Sequence, residues 1–143
     1  MKLRQLTMSA MALILMSACT DATGVEPVDL LGTWTATAIA YTGVENAELS
    51  VHVNDEGTTL TLVLGADETF TQTLTEPGLD ADIDTGIYSV TGTILTLRDS
   101  LGNLPDLFTI TRDGDTMALT ISEEFEFTND VPVAATLVIT LTR

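Results

Sequence analysis

The strongest constraint on this fold is a repeated pattern. Short segments alternate apolar and hydroxyl-bearing residues, and breaks of two distinct lengths separate them. Thr58–Gly65 sets Leu60, Leu62 and Leu64 on one face. Thr69–Thr75 sets Phe70, Gln72 and Leu74 together, and Gly86–Thr91 does the same with Tyr88 and Val90. Thr93–Arg98 aligns Leu95 with Leu97, Leu107–Arg112 aligns Phe108 with Ile110, and Thr116–Ile121 aligns Met117, Leu119 and Ile121. Ala134–Arg143 closes the series with Ala135, Leu137, Ile139 and Leu141. Period two with one apolar face is the pattern of half-buried antiparallel strands. The first strand, Trp34–Tyr41, follows Gly32 and holds the only Trp. Strict alternation puts Trp34, Ala36, Ala38 and Ala40 on its inner face and Thr35, Thr37, Ile39 and Tyr41 outside. A large aromatic followed by three alanines describes a strand that plugs one end of a barrel and leaves room further along.

The connections order these eight strands. Ala66-Asp67-Glu68, Gly92 and Asp113-Gly114-Asp115 are tight turns. Thr42–Gly57, Glu76–Thr85, Asp99–Asp106 and Ser122–Val133 are long. Long and short alternate, so in a meander every long loop falls at one end and every tight turn at the other. The predicted fold is all-β: a single eight-stranded antiparallel up-and-down barrel, whose closure removes the sheet edges. A sandwich of the same strands is the alternative. Only Val44–Val53 offers room for a short helix.

The 143 residues hold 21 acids and three arginines beyond residue 18, with no lysine there, so that part of the chain carries −18. Such a charge opposes nucleic acid and anionic membrane surfaces as partners. The lone Cys excludes an intrachain disulfide. Lys2 and Arg4 precede an apolar run, Leu6–Met16, that is too short to span a bilayer and reads as an export signal. Leu15-Met16-Ser17-Ala18-Cys19 resembles the lipobox of bacterial lipoproteins. That resemblance implies cleavage after Ala18 and a lipid on Cys19. It divides the chain into a signal peptide (1–18), a lipidated Cys and tether (19–29) and the barrel (30–143). It also implies a lipid-anchored place in the bacterial cell envelope, facing the periplasm or the outside. An ordinary secretory signal with an incidental Cys is the alternative.

Gly32-Thr33-Trp34 at the start of the first of eight meandering strands resembles the lipocalin superfamily. The stretches GIYSVTGTILTL and FTITRDGDTMALTI are similar to lipocalin-like domains of small bacterial lipoproteins. The resemblance implies a calyx for a small apolar molecule, with an Arg or Lys from the end of the last strand covering the Trp. By parity, Arg112 and Arg143 both reach the Trp34 end, whereas Arg98 faces the other way. Gly32, Trp34, Arg112 and Arg143 are therefore the expected structural base, and Ala36, Ala38, Leu62 and Phe125 the candidate ligand lining.

Residues suited to catalysis are sparse. His52 is the only His, and no nucleophile-elbow sequence surrounds Ser50, Ser89, Ser100 or Ser122. Zinc is disfavoured, because its sites draw on His and Cys. Asp80, Asp82 and Asp84 resemble the start of a calcium loop, but Thr85 and Thr91 stand where the EF-hand needs Gly and Glu. A solvated acidic loop is the better reading. Glu123 and Glu124 are a carboxylate pair with nothing in the sequence to set their separation. Phe125 and Phe127 alternate with acids and read as core or as the apolar lining of a loop.

These observations lead us to expect no enzyme and no cofactor. The expected role is binding of a small apolar ligand; the alternative is a filled barrel acting on a protein partner through acidic loops. The four long loops hold fourteen acids, together with Leu79, Leu101, Leu104 and Phe125. A negative rim around an apolar mouth favours a ligand with a neutral or positive group and disfavours fatty acids. Metabolic labelling with a palmitate analogue should mark the wild-type protein, and Cys19→Ser should abolish the mark. Label retained by the variant would refute lipidation at Cys19.

Overall fold

The computed structural model describes residues 25–127 and 131–143. Cys19, the signal-like segment before it and the rim acid Asp130 lie outside the described residues. The chain forms a closed antiparallel barrel of eight strands: β1 (Gly32–Gly43), β3 (Thr59–Leu64), β4 (Thr69–Thr75), β5 (Asp82–Thr91), β6 (Ile94–Asp99), β7 (Asp106–Asp113), β8 (Thr116–Phe125) and β9 (Val133–Thr142). Each pairs with its predecessor in the meander, and β1 pairs with both β3 and β9, which closes the cylinder. The Val44–Val53 region holds no α-helix. It forms a short strand, β2 (Ser50–His52), laid against Ala40–Thr42 of β1, and a 3-10 turn follows at Val53–Glu56. The β-branched Val51 favours this extended course.

All tight turns and Trp34 lie at one end, the base, and the long connections lie at the other, the mouth. The strands are unequal. β1, β8 and β9 have 12, 10 and 10 residues, whereas β3 and β6 have six each. β8, β9 and β1 thus run side by side as the longest continuous stretch of wall, and β5 matches β8 and β9 at ten residues.

Strict alternation fails in β1. Its register with β9 shifts between Ala36 and Ala38, where Thr37 is an extra residue whose hydroxyl donates to the Thr140 carbonyl. A bulge of this kind reverses the inside and outside of everything beyond it. Trp34 and Ala36 face in, but so do Ile39 and Tyr41, and Ala38 and Ala40 are turned outward beside Thr140 and Val138. The expected alanine-lined face is thereby corrected to an aliphatic and aromatic one. Gly86 marks a second departure from regularity. A Cβ there would lie 2.0 Å from the Arg98 carbonyl and 2.8 Å from the Phe70 ring, so β4, β5 and β6 approach this closely only at a glycine.

The base is packed solid. Trp34, Leu62, Leu64, Leu95, Met117 and Leu141 are all essentially inaccessible to solvent. Pro27–Leu30 forms a single helical turn, α1, that closes the base from below, with Leu30 fully buried. The Trp34 indole N–H donates to the Leu30 carbonyl at 2.7 Å, which satisfies the one polar atom of the plug. Gly32 takes φ +119°, a left-handed conformation open to glycine, as the chain passes from α1 into β1. The Arg143 guanidinium lies 4.8 Å from the centre of the Trp34 ring. It donates to the Asp29 and Leu31 carbonyls and pairs with Asp115 at 3.2 Å. Arg112 pairs with Asp29 at 3.6 Å instead of lying over the ring. At the base Val25, the first described residue, donates its N–H to the Gly92 carbonyl. Residues 25–29, expected to belong to the tether, are thus part of the folded body.

Trp34→Ala should cost about 3–5 kcal/mol, the usual loss for a fully buried aromatic. Arg143→Ala, which removes a partly exposed stack and its hydrogen bonds, should cost about 1–2 kcal/mol. Urea unfolding checks both. A Trp34→Ala protein that unfolds at the wild-type midpoint would contradict the plug.

Candidate functional site

The inward pattern that fills the base changes character toward the mouth. In β4 the inward series is Phe70, Gln72 and Leu74; in β8 it runs from Met117 through Ile121 to Glu123 and Phe125. In β7 it starts at Asp106 before Phe108 and Ile110. Gln72, Glu123 and Asp106 thus enter the interior in the mouth half, where solvent reaches them. Between them is a cavity of about 610 Å3 that opens to solvent. This lies within the range of roughly 300–1,000 Å3 typical of small-molecule sites.

The cavity has an apolar floor of Ile39, Leu60, Phe108, Ile121, Leu137 and Ile139. Tyr41, Gln72, Asp106 and Glu123 stand above it, and Glu56 and Glu76 reach in from the loops. Phe125 stacks on Tyr41 with ring centres 3.9 Å apart and an interplanar angle of 17°. Phe127 meets Phe125 edge-on at 4.9 Å, so the two phenylalanines brace one side of the mouth as an aromatic cluster. Among the described residues no arginine lines the cavity, and no lysine follows residue 2 in the sequence. Four carboxylates therefore face a partly desolvated space without a cation among its lining residues.

The titrations reflect this field. Burial, then the charge and the hydrogen bond of Glu123, push the Tyr41 hydroxyl up to about 12. Lost solvent is also the largest cause raising the Glu123 carboxyl; Asp106 adds to it, and the Tyr41 hydrogen bond opposes it. Asp106 keeps much of its surface open, yet the part turned into the wall loses water. That loss, followed by the charges of Asp84 and Asp99, raises its carboxyl too. Asp99 is held below the usual range. Its desolvation acts upward but is outweighed by the Asn103 side chain and the backbone N–H groups of Leu101, Gly102 and Asn103. Those bonds shape the 100–105 loop at the mouth.

The expected lining is only partly assembled here. Phe125 lines the cavity, whereas Leu62 and Ala36 pack lower in the barrel and Ala38 faces out. Ile39, Tyr41, Gln72, Asp106 and Glu123 were not among the expected ligand-lining residues. For four of them the signal was period-two parity carried to the strand ends: Gln72 follows Phe70, Glu123 follows Ile121, Asp106 precedes Phe108, and Tyr41 follows Ile39 once the bulge is known. His52 is exposed on β2. Asp82 and Asp84 lie on a strand, where alternate residues are about 6.6 Å apart. They do not converge as a calcium loop requires, and among the described residues no three His, Cys, Asp or Glu side chains are grouped to hold a metal. Glu123 faces the cavity and Glu124 does not, so the two do not flank a common space.

No protein-family model matches this sequence, and no curated protein matches it.

Tyr41 ionises near 10 in an unfolded chain and near 12 in the folded one. The folded state therefore keeps a proton that the unfolded state has lost. Its contribution to stability is complete below pH 10 and disappears as pH rises through 12. Absorbance titration of the tyrosines should show the late transition, and Glu123→Gln should bring it to lower pH. An unchanged transition in that variant would separate Glu123 from Tyr41.

Proposed function

We propose that this protein is a lipid-anchored binding protein of the bacterial cell envelope that takes a small, mostly apolar ligand into its mouth cavity without catalysis. The cavity is the observation that supports this reading most directly. An interior packed throughout would leave no open apolar floor, and this barrel is packed only in its base half. The lipobox-like Leu15–Cys19 supports the anchor, and the Gly32-Thr33-Trp34 start of the barrel supports a lipocalin-like relationship. Catalysis finds little support, because His52 lies on exposed β2 and does not line the cavity.

The other reading is an interaction module. Leu101 and Leu104, 81% and 92% exposed on the 100–105 loop, favour it. Solvent-facing leucines at a mouth are suited to contact with a protein partner.

Native mass spectrometry of the full chain purified from its own host should show a bound mass that is released on unfolding. Calorimetry with dodecanol should give saturable binding at one site. Absence of both would reject the carrier and leave the interaction module.

A further inference from the structure

The barrel wall is incomplete beside the cavity. β7 pairs with β8 only from Thr109↔Thr120 to Asp113↔Thr116. Yet β7 begins three residues earlier, at Asp106, and β8 runs five residues further, to Phe125. Above Thr109, β7 turns to β6, pairing Leu107 with Thr96 and Asp106 with Leu97. Above Thr120, β8 stays with β9 as far as Phe125↔Val133. The two strands part toward the mouth and leave a seam.

Continuing the register across the seam is simple arithmetic. The residue numbers in the pair Thr109↔Thr120 sum to 229, so Phe108 stands opposite Ile121 and Asp106 opposite Glu123. All four line the cavity. The lower pair is apolar and the upper pair is two carboxylates. Like charges directly across two strands are unfavourable. Here they flank an unpaired seam, and no basic side chain lies among the cavity lining to relieve them. Tyr41 lines the cavity together with Glu123, and the Tyr41–Phe125 stack adds an aromatic wall close by.

On the reading of this cavity as a ligand site, we propose that its ligand is an organic cation. The ammonium group sits at the seam between Asp106 and Glu123, and the apolar body lies on the floor beneath it. Two carboxylates supply charge-assisted contacts in a partly dry space. The neighbouring aromatic side chains suit alkylated ammonium groups, which aromatic faces attract. The apolar Phe108–Ile121 pair, the next step down the same seam, receives the carbon adjoining the cation.

The test is calorimetry on the full chain with monomeric dodecyltrimethylammonium, dodecanol and dodecanoate. The cation should bind more tightly than the alcohol, and the alcohol more tightly than the acid. Glu123→Gln and Asp106→Asn should each weaken the cation by about tenfold or more. Dodecanol affinity should move far less than cation affinity in both variants, and a cooperative urea transition shows that they fold. Glu124→Gln removes the same charge from the neighbouring outward position and should alter nothing. Equal affinity for cation and alcohol would overturn this proposal and leave the apolar-ligand reading standing. So would a loss with Glu124→Gln that matches the loss with Glu123→Gln. Failure of all three probes to bind would overturn the apolar-ligand reading itself.

Discussion

The structure depends on the indole of Trp34. Its N–H reaches the Leu30 carbonyl and its face carries the Arg143 guanidinium, so one side chain ties the segment before the first strand to the residue after the last. In a barrel the first and last strands must meet across the greatest separation in sequence, and that is the most entropically costly pairing to form. Trp34 and Arg143 stabilise the place where this happens. With α1 seated beneath them they also close the base against water, so the apolar residues of β3, β6, β8 and β9 share one dry core. The stack, the hydrogen bonds and the buried leucines form a single cooperative unit, because exposing any one of them wets the others.

A solid base leaves the other half of the barrel free of structural duty. The same strands that carry Phe70, Ile110 and Met117 low in the barrel carry Gln72, Asp106 and Glu123 near the mouth. Uncompensated carboxylates in a partly dry space weaken the fold. Their raised protonation midpoints are the signature of that cost. Such groups persist where a site needs them.

Much of this architecture was legible in the sequence. The tight turns at Gly92 and Asp113-Gly114-Asp115, the alternation of long and short connections, and the parity of Leu137, Ile139 and Leu141 all describe the barrel that forms. Parity also carried Arg143 to the Trp34 end, because β9 is regular throughout. It failed in β1, where nothing in Ala36-Thr37-Ala38 announces an extra residue. Small and β-branched residues tolerate a bulge and a regular strand alike, so the local sequence is neutral and the pairing with β9 decides. One inserted residue moved Ala38 out and Tyr41 in, and with them the chemical character of the cavity. The split between β7 and β8 was hidden for a related reason. It comes from β7 choosing β6 as its partner near the mouth, and that choice lies in the register between strands, which no single segment encodes.

The docking of Val25 beneath the barrel governs how the molecule can stand on a surface. Six bonded steps separate Cys19 from Val25, a span of at most about 20–22 Å even when fully drawn out. Ten strand residues at an ordinary barrel tilt rise about 25 Å. A lipid at Cys19 would thus hold the turn-bearing end toward the bilayer, with too little chain to let the molecule invert. The opening would then face away from that bilayer or lie along it, and would not press against it. A lipid at Cys19 would in that case leave exchange at the mouth to the space beyond the bilayer surface.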